Sequence, residues 1–112
     1  MRIRGLRRVG AVALAVTLLV VLTVGVASAG GNRVRATNFN FKPRTITIQK
    51  GERVTWKRIE GKHTVTLKNG SFDKVISRAH PRARKRFRHR GTFRYFCRFH
   101  RSLGMKGKVV VE

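Results

Sequence analysis

The sequence predicts an all-β domain, a small sandwich or barrel of short strands. Apolar and polar residues alternate with period two in short segments from residue 32 onward, which is the pattern of half-buried strands. Turns containing glycine separate these segments, as they do between consecutive strands. No window after residue 30 shows the period of an amphipathic helix. The chain has no internal repeat, so we expect one domain.

Three strands are predicted in the first half of this domain. Residues 45–49 and residues 53–57 each alternate between apolar and polar side chains, and Lys50-Gly51 between them is typical of a turn. A third alternating segment runs over residues 63–67, and the turn-forming residues 68–71 end it.

The second half predicts two further strands and one weaker extended segment. Residues 84–88 are extended at best, with Phe87 as the apolar member. Residues 92–97 place Phe93, Tyr95 and Cys97 on one face. Residues 106–111 are a β-branched run that forms the last strand. We assign the aromatic side chains to the core: Phe39, Phe41, Trp56, Phe72, Phe87, Phe93 and Tyr95.

The first 29 residues are predicted to be an export signal. Four arginines lie within residues 1–8, an uncharged run occupies residues 9–27, and Ala27-Ser28-Ala29 has the small-x-small form of a signal-peptidase site. The predicted mature domain is therefore 30–112. The alternative is an uncleaved anchor, because the uncharged run is long enough to span a bilayer.

Composition favours a metal site in so small a domain. Such a domain buries too little surface to be stable without help, and a single cysteine cannot form an internal disulfide. A bound metal is the other common means of stabilisation. The chain has 27 Lys and Arg against four acids, a formal net charge of +23. This charge indicates either an anionic partner or a general adaptation of the surface.

Four side chains near the end of the chain and in its middle offer the donors of a blue-copper site. Cys97, His100 and Met105 follow one predicted strand, and His63 begins another. One thiolate and two imidazoles with a weak axial thioether bind copper in both oxidation states. Taken singly, Cys97 is also consistent with a buried or dimerising thiol, and a thiolate–imidazole site also accepts zinc. We expect His80 and His89, which lie among arginines, to be solvated.

These motifs resemble the cupredoxin family, close to the plastocyanin, pseudoazurin and amicyanin group. The resemblance covers about residues 39–111 and rests on three segments: Phe41-x-Pro43-x2-Ile46-x-Ile48-x2-Gly51-x2-Val54-x-Trp56, His63-Thr64-Val65, and Gly91-Thr92-Phe93-Arg94-Tyr95-Phe96-Cys97-x2-His100-x4-Met105-x-Gly107. It implies a Greek-key β-sandwich with copper near one end. It also implies that His100 is the partly exposed ligand through which electrons enter and leave.

The predicted function is therefore that of an exported type 1 copper protein that carries single electrons and is not an enzyme. One alternative is copper storage or delivery. Another is a cationic module that binds polyanions or membranes and uses its metal for structure. We also expect the Thr64 N–H to donate to the Cys97 sulfur, and Phe99 with Leu103 to form an apolar docking patch if they are exposed.

The predicted location is extracellular, periplasmic or at the cell envelope. The expected partners are redox proteins with acidic docking surfaces, and an anionic membrane surface is a second candidate. The basic, aromatic-containing segment 78–101 allows a nucleic-acid reading. That reading is disfavoured because the core requires the aromatic side chains and export removes the protein from cellular nucleic acid.

Overall fold

The computed structural model describes residues 31–112, which form two β-sheets and one short 3-10 turn. No helix in this part of the chain has the length and apolar character needed to cross a membrane. The predicted export signal lies outside the described residues. The strands are β1 Arg33–Thr37, β2 Asn40–Lys42, β3 Thr45–Ile48, β4 Arg53–Arg58, β5 His63–Leu67, β6 Asp73–Ile76, β7 Arg82–Arg86, β8 Gly91–Phe96 and β9 Lys106–Val111, and the 3-10 turn is Arg101–Leu103.

The two sheets have the strand orders β2-β1-β4-β7 and β3-β9-β8-β5-β6. Both are mixed, because β1 pairs with β4 and β3 pairs with β9 in parallel, while the remaining pairs are antiparallel. The all-β fold class is thereby confirmed.

The core lies between the sheets, and in most strands the buried residues alternate with exposed ones. Trp56 and Tyr95 come from opposite sheets and meet edge to face, with their ring centroids 5.3 Å apart. Phe41 meets the same tyrosine ring at 4.8 Å. Each large apolar side chain that is buried in this way contributes about 1.5–3 kcal/mol relative to an exposed one.

The observed strands agree with the predicted ones where alternation is strong. Residues 63–67 and 106–111 are strands with the predicted bounds, and the other predicted strands differ by one residue at one or both ends. The segment predicted at 84–88 instead begins at residue 82, and Phe87 is buried just after its end. Strands β1, β2 and β6 were not predicted as separate elements.

Three connections lie at one end of the sandwich: the β1–β2 turn, the β4–β5 loop and the β8–β9 loop. β1 and β4 run in parallel, so the β1–β2 turn and the β4–β5 loop lie at the same end. β5 runs antiparallel to β8, so the start of β5 lies beside the end of β8. His63 and Cys97 therefore meet here although 34 residues separate them.

Candidate metal centre

One strand and one loop carry the four predicted ligands. His63 is the first residue of β5, and Cys97 directly follows β8. His100 precedes the 3-10 turn and Met105 precedes β9. Three of the four side chains, those of His63, Cys97 and Met105, are fully buried, whereas His100 is partly exposed.

Three donor atoms converge at this end of the sandwich. Nδ1 of His63 and Nδ1 of His100 are 3.3 Å apart, and the Cys97 Sγ atom lies 3.9 Å from the former and 3.5 Å from the latter. Bonds of ~2.1 Å to nitrogen and ~2.3 Å to sulfur, the lengths in protein zinc sites, place donors around one ion ~3.4–3.8 Å apart. The three atoms thus fit a single transition-metal ion without a change of rotamer. Within residues 31–112, no other group of three His, Cys, Asp or Glu side chains is placed to hold a metal.

The backbone of the β4–β5 loop fixes the tautomer of His63. Its Nε2 atom lies 2.7 Å from the Glu60 carbonyl oxygen, so Nε2–H donates and Nδ1 keeps its lone pair towards the site. Burial lowers the pKa of His63 below its ordinary value of 6.5, which keeps the ring neutral at neutral pH. Metal-bound histidines commonly have such a carbonyl partner on the second nitrogen.

Gly61 allows this loop to approach the imidazole. Its φ is +79°, and a Cβ atom there would lie 2.9 Å from His63 Nε2. A side chain at this position would therefore be strained and would also press on the ring.

The Cys97 sulfur accepts a hydrogen bond from the neighbouring strand, as the sequence predicted. The Thr64 N–H donates to Sγ at 3.4 Å. In turn, the Arg98 N–H donates to Thr64 Oγ1 at 2.7 Å. The regular pairing of β5 with β8 ends at Thr66 and Phe96. Nearer the site, the two segments are joined instead by the N–H bonds to the Cys97 sulfur and the Thr64 hydroxyl.

A ring of hydrogen bonds extends from this point to the surface. Thr64 Oγ1 and Thr66 Oγ1 are 3.0 Å apart, and Thr66 Oγ1 donates to Asp73 Oδ1 at 2.6 Å. The Arg98 Nε–H donates to the same carboxylate oxygen at 3.1 Å and closes the ring. The Thr66 hydroxyl, followed by the Arg98 guanidinium, lowers the pKa of Asp73. The ring holds the residue after Cys97 in place.

Met105 is held by the backbone of the same loop. Its N–H donates to the His100 carbonyl oxygen at 3.2 Å, and its carbonyl accepts from the Cys97 N–H at 3.0 Å. Arg44, from the neighbouring β3 edge, donates through Nη2 to the Gly104 carbonyl at 3.1 Å. The loop that carries three of the predicted ligands is therefore tied at both ends.

Aromatic and apolar side chains surround the exposed part of His100. Phe39 meets its ring edge to face with centroids 4.8 Å apart, and Phe99 does so at 6.3 Å. Phe99 is 45% exposed and Leu103 is 59% exposed. Both side chains are therefore exposed, as the predicted apolar docking patch requires.

The assignment of Phe39 to the core was wrong. Phe39 is 42% exposed and has a φ of 70°. It lies in the tight turn between β1 and β2, whose backbone turns the side chain towards His100 instead of into the sandwich. Of the other aromatic side chains assigned to the core, Phe72 and Phe93 are only partly buried against it.

Sequence reasoning also missed the contacts that support the site. Glu60 contributes a backbone carbonyl, for which no side-chain motif exists, and Asp73 reaches the ring from an unpredicted strand. The one sequence signal for these contacts was Gly61, two residues before His63, because a glycine lets the loop backbone lie close to the imidazole ring. His80 and His89 are exposed and lie outside the cluster.

Comparison with known proteins identifies relatives of this arrangement. The family model described as "Copper binding proteins, plastocyanin/azurin family" matches residues 29–112. The plastocyanin of Scenedesmus fuscus is 32% identical over 87 residues, which cover 64% of this chain and 86% of that protein. The chloroplastic plastocyanin of Tetradesmus obliquus is 30% identical over 84 residues, which cover 64% of this chain and 58% of that protein, under two thirds of its length.

Solved structures show the same fold. The oxidised plastocyanin of Dryopteris crassirhizoma has a TM-score of 0.65 at 26% identity, covering 71% of this chain and 99% of the plastocyanin. A reduced amicyanin variant has a TM-score of 0.64 at 27% identity, covering 79% of this chain and 87% of the amicyanin.

Proposed function

The chain belongs to the plastocyanin/azurin family of copper-binding proteins, and from this premise we propose that it is an exported carrier of single electrons. The observation that carries the proposal is the convergence of two imidazole nitrogens and one thiol sulfur within 3.9 Å. A donor set of this kind suits copper in both oxidation states.

We assign the metal ligands to His63, Cys97, His100 and Met105. The first two are buried: the His63 Nε2–H donates to the Glu60 carbonyl oxygen, and the Cys97 sulfur accepts from the Thr64 N–H. When bound there, copper supplies a centre that gains and loses one electron. The protein keeps the donors in nearly fixed positions, so little rearrangement accompanies the change of charge.

His100 provides the path between the metal and the surface. It is the only one of the four ligands that reaches solvent. The exposed rings of Phe39 and Phe99 contact it, and exposed Leu103 lies in the 3-10 turn that follows it; these three side chains form the apolar patch. A redox partner that packs on this apolar patch brings its own centre close to the imidazole. Four protein ligands leave no open coordination position for a substrate, so the proposal includes no enzymatic activity.

Export is part of the proposal. Residues 1–29 have the charge and apolar pattern of a signal peptide, which makes residues 30–112 the functional domain. The partners are then redox proteins of the envelope, and the high positive charge favours those with acidic surfaces.

The burial of the ligands favours electron transfer over copper delivery. Delivery requires an incoming thiol or imidazole to reach the metal, yet His63, Cys97 and Met105 are all fully covered. An electron carrier retains its copper in the presence of a chelator and shows fast electron exchange between its oxidised and reduced forms. A delivery protein loses its copper to a chelator and shows slow exchange. Chelator resistance and the self-exchange rate therefore distinguish the two functions.

Addition of Cu(II) to the purified chain tests the proposal. We expect an intense blue or green absorption band that ascorbate bleaches and re-oxidation restores. Cys97→Ser should abolish the band, whereas His89→Gln, a matched change at an exposed histidine, should leave it unchanged. A folded sample that stays colourless with Cu(II), or a band that survives Cys97→Ser, contradicts the proposal.

A further inference from the structure

Eight of the eleven outward residues of the sheet β2-β1-β4-β7 are Lys or Arg. Most core-side residues of these strands are buried, Arg58 and Lys85 being partly exposed, and the alternate residues point to solvent. We call the outward Lys and Arg side chains the basic face: Arg33, Arg35, Lys42, Arg53, Lys57, Arg82, Arg84 and Arg86.

Strand register places these cations directly opposite one another. Arg35 pairs with Lys57, which pairs with Arg82 on the next strand, and Arg53 pairs with Arg86. Like charges at paired positions destabilise a sheet. The arrangement therefore lowers the stability of the isolated domain and is relieved only when anions cover the face.

Among the outward strand residues, cations are more frequent on this sheet than on the other. The four strands contain no Asp or Glu, and Thr37, Asn40 and Thr55 are their uncharged outward residues. The outer face of the second sheet is mixed, with threonines, apolar side chains and an acid among its cations: Thr45, Thr47, Thr66, Asp73, Val75, Thr92, Arg94, Phe96, Lys106, Lys108 and Val110.

We propose that the basic face binds the anionic phospholipid surface of a membrane. Its cations are spread over a sheet, with neighbouring strands ~4.8 Å apart and successive outward residues ~6.6 Å apart, so many of them can meet a flat array of headgroups together. Six of them are arginines, whose planar guanidinium binds phosphate oxygens in pairs.

The same face lacks the features of other anionic partners. Protein docking sites are centred on buried aromatic or apolar side chains, and single-stranded nucleic acid requires stacking platforms. Neither kind of side chain points outward from these four strands. An extended charged sheet without an apolar centre fits a lipid surface better than either.

The position of the face leaves the exposed imidazole accessible. The face runs along the strands, whereas His100 lies at the end of the sandwich beside Phe39. A molecule lying on its basic face therefore directs the apolar patch parallel to the membrane plane, towards neighbouring redox proteins. This consequence rests on the proposed electron-carrier function, but binding to the membrane does not.

Vesicle binding by two matched variants tests the proposal. The copper-loaded protein is titrated with phosphatidylglycerol–phosphatidylcholine vesicles at 0.1 M salt. The first variant, Arg35→Gln/Lys42→Gln/Lys57→Gln, removes one row of the basic face. The control, Lys68→Gln/Arg94→Gln/Lys108→Gln, removes the same number of Lys and Arg from the other sheet and a turn beside it. Both variants share one N-terminus, so any contribution from it cancels.

We expect the row variant to bind about 100-fold more weakly, since each cation near an anionic surface contributes about fivefold. The control should change less than twofold, because its cations lie farther from the bilayer than the Debye length of ~10 Å. Visible absorption shows that the copper site of each variant is intact. Equal losses in the two variants, or no loss in either, would overturn the proposal.

Two further arms exclude other modes of binding. Polyglutamate, added at the same concentration of negative charge as the vesicles, should bind more weakly than they do. Tighter binding to polyglutamate would assign the basic face to an acidic protein partner and overturn the proposal. Bound protein should also react with hydroquinone, a neutral reductant, as fast as free protein. Protection from hydroquinone would mean that the His100 end contacts the membrane, and would overturn it as well. Failure of vesicle binding leaves the copper site and its colour unaffected.

Discussion

Substitution of Gly61 by Ala should disturb the metal centre from the loop side. Gly61 has a φ of +79°, and the new Cβ would lie 2.9 Å from His63 Nε2 and 2.5 Å from Asn38 Oδ1. Asn38 is exposed and can move away, but the His63 ring is fully buried and cannot. The ring must shift, and its hydrogen bond to the Glu60 carbonyl must lengthen.

The magnitude follows from two contributions. A Cβ atom in the left-handed region costs about 1–2 kcal/mol, and overpacking against a buried side chain costs about 1–3 kcal/mol more. Gly61→Ala should therefore lower the free energy of unfolding by about 2–5 kcal/mol. Gly70 is a matched control, because its φ is +81° and nothing lies within 4 Å of a Cβ there. Gly70→Ala should show only the first contribution.

Urea unfolding of both variants, with and without copper, measures the difference. Gly61→Ala should also shift the visible band and weaken copper binding, because His63 Nδ1 moves with the ring, whereas Gly70→Ala should leave the spectrum unchanged. Equal destabilisation and identical spectra in the two variants would refute the reasoning.

Two further predictions concern the groups around the donors. Thr64→Val should lower the free energy of unfolding by about 1–3 kcal/mol, because it leaves the Arg98 N–H without its acceptor. Thr66→Val, at a partly exposed position, should lower it by less. Urea unfolding measures both, and a larger loss in Thr66→Val would contradict the role given to the ring of hydrogen bonds. The metal-free protein should lose stability as pH falls from about 6.5, because burial lowers the pKa of His63 in the fold and protonation then favours the unfolded chain. Thermal unfolding across this range should show a slope that His63→Asn reduces and His89→Asn does not; an unchanged slope in His63→Asn would contradict this assignment.

The spacing of the ligands could be predicted because it is local. Cys97, His100 and Met105 lie in one loop after a strand with strong alternation, and His63 begins another such strand. One thiol, two imidazoles and a thioether together are the donor set of a copper site. These side chains converge because the sandwich places the start of β5 beside the end of β8.

The elements that sequence did not predict have weak local signals. β6 has only Ile76 buried and exposes Val75, so its four residues show no alternation. β1 alternates, but Ala36 is a small apolar residue among arginines and gives little contrast. Phe39 was placed in the core on its hydrophobicity, whereas the turn that contains it decides where it points.

The basic face could not be predicted because it depends on strand pairing. Arg35, Lys57 and Arg82 are far apart in the sequence and become neighbours only through the parallel β1–β4 and antiparallel β4–β7 registers. The net charge was visible from composition, but the alignment of these cations on the outer face of one sheet was not.

X-ray absorption at the copper edge tests the central claim most directly. Copper bound to His63, Cys97 and His100 should show two nitrogen neighbours and one short sulfur neighbour, whereas the axial Met105 sulfur is longer and weaker. Cys97→Ser should remove the short sulfur contribution while the two nitrogens remain. A wild-type spectrum with only nitrogen and oxygen neighbours would contradict the account, as would a short sulfur contribution unaffected by Cys97→Ser.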